Sequence, residues 1–276
     1  MNWLKDLWQK IKKFIESIFK PDEPVPTPEP ELDPTKWLGV GFDRNGDLLD
    51  PVEVADQLVR NGLNCTSVGI VGRDNNDPFD MVAVRKWLPK WIEAMRAKNI
   101  VTIVTLTGTG GPDGGLGRPQ FSDDWFNSML DVMIEIGTDL VVLSPYCEGN
   151  IKEGAQEPAK SKIRGWANFV DERWTGMKGW NYQCNPKLSE VPTGYIGIYH
   201  PQRWDWGYAG QVCITDAPIS PRFMTGDYPN EQVIPDQLEA IARQTREAGK
   251  GFIKWGQWEH AEIETAAIEA LGKVSK

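Results

Sequence analysis

Carboxylates, indoles and both histidines of this chain stand directly behind short apolar runs. Glu148 follows TDLVVLSPY, with Tyr146 just ahead of it, and Asp216 follows QVCIT. Trp255, Trp258, Glu259 and His260 share the stretch KWGQWEH. The stretch YHPQRWDWG supplies Tyr199, His200, Trp204 and Trp206. Asp43 ends WLGVGFD, and Arg73 follows NCTSVGIVG. Two carboxyls facing one cleft can carry out acid/base work: one protonates a leaving oxygen, and the other attacks or activates water. Flat indole faces suit the stacking of sugar rings. The combination therefore fits cleavage of a glycosidic bond. Candidate catalytic groups are Glu148, Asp216 and Glu259. Candidate substrate contacts are Asp43, Arg73, Tyr146, Tyr199, His200, Trp204, Trp206, Trp255 and Trp258. Each also has a structural reading. Glu148 could pair with Lys152, Asp216 could shape the turn before Ala217-Pro218, and Glu259 could simply favour a helix start.

Residues at strand ends need a scaffold that brings those ends together. From residue 37 the sequence alternates apolar runs with helical patterns. Strands are predicted at 37–43, 64–72, 100–108, 138–146, 178–185, 194–200, 211–216 and 251–256. The run IVTIVTLTG is β-branched and fully apolar, as buried parallel strands are. Helices are predicted after Asp50, over 80–98, after Ser122, over 156–175, over 235–248 and over 260–272. Asp50-Pro51 with Glu53 forms a helix-start signal, and Gly249 a helix stop. Trp87, Leu88, Trp91, Ile92 and Met95 share one face, and Pro89 is expected to kink or split that helix. Mostly alternating strands and helices over this length predict a single (β/α)8 barrel, the α/β class, over residues 37–276. A doubly wound open sheet is the alternative, although GVGFDRNG lacks the glycine spacing of a dinucleotide loop. The glycine-rich stretch GTGGPDGGLG lacks the lysine of a phosphate loop and reads as a rim loop.

The first residues are a different object. In MNWLKDLWQKIKKFIESIFK, Trp3, Leu4, Leu7, Trp8, Ile11, Phe14, Ile15, Ile18 and Phe19 recur at helical spacing. Lys5, Lys10, Lys12, Lys13 and Lys20 oppose them. Residues 1–20 thus read as a basic amphipathic helix suited to a membrane surface or a partner protein. Packing on the chain's own domain is the alternative. It does not read as a secretory signal peptide, because charges interrupt the apolar face and no small-residue cleavage site follows. Residues 21–36 are proline-rich and acidic, a semi-rigid extended linker. The expected localisation is membrane- or virion-associated.

Composition narrows the classes. The chain has 276 residues, 40% hydrophobic and 25% charged, ordinary globular usage. A net charge of −9 argues against nucleic acid as a partner. Only two histidines and four cysteines, with no CxxC pair, predict no metal site and no cofactor. Cys65, Cys147, Cys184 and Cys213 are expected as free thiols, with a Cys147–Cys184 bridge as the alternative. Asn64-Cys65-Thr66 matches a glycosylation acceptor, but it falls in a predicted strand. Thirteen tryptophans stand out and agree with carbohydrate contact.

The pattern of Arg73, Glu148, Tyr199, His200 and Trp255 at predicted strand ends resembles the (β/α)8 retaining glycoside hydrolases, the cellulase- and mannanase-like barrels. That resemblance covers residues 37–276. It implies Glu148 as the acid/base after strand four, Arg73 after strand two, Tyr199 and His200 after strand six, and Trp255 as the platform after strand eight. Two positions depart from it: Cys147 stands where an asparagine is usual, and Asp216 where a glutamate is usual. The expectation is a hydrolase of a polysaccharide or cell-wall glycan, held through its N-terminal helix in a phage or viral setting. A non-catalytic carbohydrate-binding or surface attachment protein is the alternative.

Overall fold

The computed structural model describes residues 29–42, 49–72, 81–108, 123–147, 156–182, 191–199, 210–215, 235–254 and 261–276. Eight parallel strands close on themselves in chain order: β1 (Leu38–Phe42), β2 (Cys65–Gly72), β3 (Val101–Gly108), β4 (Val141–Cys147), β5 (Met177–Tyr182), β6 (Ile196–Tyr199), β7 (Val212–Thr215) and β8 (Gly251–Lys254). β8 returns to β1 through Leu38↔Phe252 and Gly39↔Ile253. Around them lie α1 (Pro51–Arg60), α2 (Met81–Arg96), α3 (Asp123–Ile136), α4 (Gln156–Arg173), α5 (Pro235–Glu247) and α6 (Ala261–Gly272). This is the predicted (β/α)8 barrel. Among the described residues no helix separates β5 from β6 or β6 from β7. Aromatic packing covers part of the wall there: Trp180 meets Tyr195 edge-on at 6.0 Å, and the Tyr195 hydroxyl donates to the Ala167 carbonyl of α4.

Local chemistry accounts for the element ends. The Asp50 carboxylate accepts from the Val52 and Glu53 amides, and Pro51 occupies the first turn of α1, where its missing N–H costs nothing. Gly249, at φ +71°, follows the end of α5 in a conformation that side chains disfavour. Pro89 neither splits nor ends its helix. α2 runs unbroken through it, because Leu88, Trp91, Ile92 and Met95 are all buried and hold both halves on the sheet.

Strand alternation sorts the core into a lumen and an outer jacket. Trp37, Cys65, Val101, Ile103, Val142, Ile198, Val212, Ile214 and Ile253 fill the lumen. The intervening strand residues pack outward against the helices. Val40, Phe42 and Phe252 meet Leu58 and Leu271. Val104, Leu106 and Leu143 meet Phe126, Met133 and Trp166. The Trp166 ring stacks on Phe126 at 4.6 Å.

The base of the barrel, where the strands begin, is sealed by the segment ahead of β1. Pro34–Lys36 form a short 3-10 helix capped by Asp33, so the end of the expected linker is docked rather than free. The Trp37 indole donates to the Glu31 carbonyl at 2.7 Å, the Phe252 amide donates to the Trp37 carbonyl, and Arg246 donates to the Thr35 carbonyl. Asn64 ties β1 to β2 at the same level. Its carboxamide accepts from the Leu38 amide and donates to the Lys36 carbonyl. That side chain is committed to the backbone, in line with discounting it as a glycosylation acceptor. The amphipathic segment 1–20 and most of the linker lie outside the described residues.

Candidate active site

In a closed parallel barrel all eight strands end on one face, and loops following the strands gather there. β1 ends one residue before Asp43, β2 before Arg73, β4 before Glu148, β6 before His200, β7 before Asp216 and β8 before Trp255. Six candidate residues thus follow directly on strand ends that share the mouth. Those six lie outside the described residues, as do Trp204, Trp206, Trp258 and Glu259. Tyr146 is on β4, with its backbone opposite Thr107 of β3.

Tyr199 departs from expectation. It is the last residue of β6 and fully buried, within the outer cluster that holds Trp180, Tyr195 and Trp166. Its neighbour Ile198 fills the lumen, so alternation turns Tyr199 to the jacket. Its structural position is the packed layer behind the wall, not the open centre of the mouth.

The described floor beneath the mouth is polar on one side. Ser67 shares the inward face of β2 with Cys65, Thr105 that of β3 with Ile103, and Ser144 that of β4 with Val142. Asn181 of β5 lies opposite the inward-facing Ile198 in the ladder. All four are buried. The opposite wall is apolar, built from Ile198, Ile214 and Ile253. These four polar positions are absent from the sequence reading. Their inward side follows from the register, not from the sequence pattern.

Two electrostatic features lie elsewhere in the described barrel. Lys254, fully buried, ends β8 beside Thr215 of β7. On the outer wall, the Asp171 carboxylate of α4 accepts from Lys178 at 2.6 Å and from the Tyr195 hydroxyl at 3.1 Å. Burial, and then the Asp171 charge, push the Tyr195 phenol well above its ordinary value, so it remains a hydrogen-bond donor. Burial likewise raises the thiols of Cys65 and Cys213, the latter to about 12. Both are free and buried, whereas the Cys147 side chain and Cys184 lie outside the described residues. Among the described residues no group of acidic, histidine and cysteine side chains could hold a metal ion. None of the described helices is long and apolar enough to cross a membrane.

The fold defines a class, the (β/α)8 barrels, and solved structures narrow the likeness within it. No protein-family model matches this sequence, and no curated protein matches it. Its structure neighbours are glycoside hydrolases. A family 5 enzyme from Prevotella bryantii B14 superposes with a TM-score of 0.58 at 11% identity, over 86% of this chain and 96% of that one. A family 113 β-1,4-mannanase gives 0.55 at 11%, over 87% and 98%. The catalytic domain of alkaline cellulase K gives 0.58 at 11%, over 83% and 76%. At such identities the likeness is one of fold.

Proposed function

We propose that this chain is a glycoside hydrolase of a polysaccharide or cell-wall glycan. The observation that carries the reading is the set of strand ends: the closed barrel stops β2, β4, β7 and β8 one residue before Arg73, Glu148, Asp216 and Trp255. Glu148 is the proton donor and then the base. Asp216 is the favoured second carboxylate, with Glu259 as the alternative. Asp43, Arg73, Tyr146 and His200 contact substrate hydroxyls, and Trp204, Trp206, Trp255 and Trp258 provide stacking faces. A donor and a second carboxyl placed across the scissile bond lower the barrier by protonating the leaving oxygen as the ring gains positive charge. One neighbour is a β-1,4-mannanase, and a mutant of the Prevotella bryantii family 5 enzyme has a structure in complex with a xyloglucan tetradecasaccharide. β-1,4-Linked glucan, mannan and xyloglucan are therefore the first substrates to offer. Reducing ends should appear with the unaltered chain and vanish with Glu148→Gln, while glycan binding persists in both.

A second reading rests on Cys147 and Asp216, the two departures from the hydrolase pattern. On it, the barrel binds carbohydrate without cutting it. Retained binding with no release of reducing ends by either protein would select it. In both readings residues 1–20 hold the head to a membrane surface or a partner protein, a role supported by their basic amphipathic pattern.

A further inference from the structure

We infer that the lumen of the barrel, beneath the mouth, contains an internal hydration site walled by Ser67, Thr105, Ser144 and Asn181. The Oγ atoms of Ser67 and Ser144, the Thr105 Oγ1 and the Asn181 Oδ1 are buried and have no hydrogen-bond partner among the described residues. Buried polar atoms without a partner are uncommon in folded proteins, and each is costly. Here four occur together on four consecutive strands, so a shared partner is the economical account.

The geometry fits water. Thr105 and Ser144 are direct partners across β3 and β4. Adjacent strands lie about 4.8 Å apart. Two side chains so placed are too far apart for a direct bond at about 2.8 Å, yet one water can reach both. Glycines stand beside three of them, although Ile103 and Ile198 flank Ser67 and Asn181 in the ladders. Gly69 is the ladder partner of Thr105, and Gly41 that of Ser67. Gly179 borders Ser144, where an added methyl carbon would come within 3.1 Å of its Oγ. Barrels of this type fill these layers with bulky branched residues. Here hydroxyls and glycines take those places on one side, against Ile198, Ile214 and Ile253 on the other. Water needs two to four polar partners, and four converging groups suffice for about two molecules. An apolar occupant would leave all four groups unsatisfied, and the interior of an eight-stranded barrel admits little beyond side chains. The site does not depend on whether the mouth cuts glycans.

The test reads the waters directly. With methyl-labelled protein, water-selective cross-relaxation should reach the Thr105 methyl and the Ile214 and Ile198 methyls with the sign of bound water. Cross-relaxation absent at all three would overturn the proposal. Thr105→Val gives an independent reading, since it keeps shape and removes one hydroxyl. A hydrated site predicts a lower Tm for this variant, because a water loses a partner. A higher Tm would mean that the hydroxyl was an unpaired cost in a dry lumen, and would also overturn it.

Discussion

Gly39 of β1 and Cys65 of β2 approach so closely that a methyl carbon added at Gly39 would stand 1.9 Å from the Cys65 carbonyl oxygen. The obstacle is backbone on the neighbouring strand, which cannot rotate away as a side chain end would. Gly39→Ala must therefore open the first ladder of the barrel. The cost is about 3 kcal/mol or more, at the upper end of overpacking effects. Denaturant unfolding should show a lower midpoint, and an unchanged midpoint would mean that β1 and β2 sit further apart.

Trp37 separates two contributions at the base. Trp37→Phe keeps an apolar plug but removes the indole bond to the Glu31 carbonyl. A loss of about 1 kcal/mol is expected. Trp37→Ala also removes the plug, and about 3–5 kcal/mol should be lost. Equal losses for the two variants would show that the hydrogen bond, not the volume, matters there.

The thiols give a pH prediction. The folded-state value of Cys213 lies above its ordinary value of 9.0, at about 12. A raised value means that folding favours the neutral thiol. That contribution is full below pH 9.0 and is lost as pH rises from there toward about 12. Alkaline titration should thus lower Tm in this window, and less so in Cys213→Ala. At pH 8, native protein should leave Cys65 and Cys213 unmodified by a disulfide reagent, while urea-unfolded protein exposes both. Modification of either at the unfolded rate in native protein would contradict their burial.

Glu148→Gln keeps the shape of the side chain and removes its titrating proton. If Glu148 is the proton donor, kcat should fall about 10²- to 10⁴-fold with Tm unchanged. Equal turnover by the variant would move the donor role to another carboxylate.

Truncation of residues 1–20 should release the protein from anionic liposomes without changing turnover. Undiminished binding by the truncated chain would place the contact on the barrel itself.

The sequence displays some elements plainly and hides others for physical reasons. α1 is legible because Asp50, Pro51 and Glu53 act within one turn, and β3 because its β-branched run admits little else. Pro89 does not split its helix, since a local penalty yields to the burial of Trp91 and Met95 on the jacket. β6, β7 and β8 have only four residues each, so their boundaries depend on ladder partners distant in sequence. The side to which Tyr199 turns depends on the same alternation, which is fixed by Ile198 in the lumen. Of the candidate site, the order of residues behind strand ends could be read. The polar floor could not, because Ser and Thr inside a strand look alike whether they face the lumen or the helices. Only the register separates Ser144 from Thr66, whose hydroxyl donates to the Val40 carbonyl.

The docked segment at Pro34–Lys36 also marks one pole of the molecule. It seals the pole opposite the mouth, and Ser275 bonds the Asn61 carbonyl at the end of α1. Both ends of the described chain therefore meet at this one pole. A label placed at Glu31 or Ser275 would therefore report on the pole where the strands begin, the one opposite the strand ends.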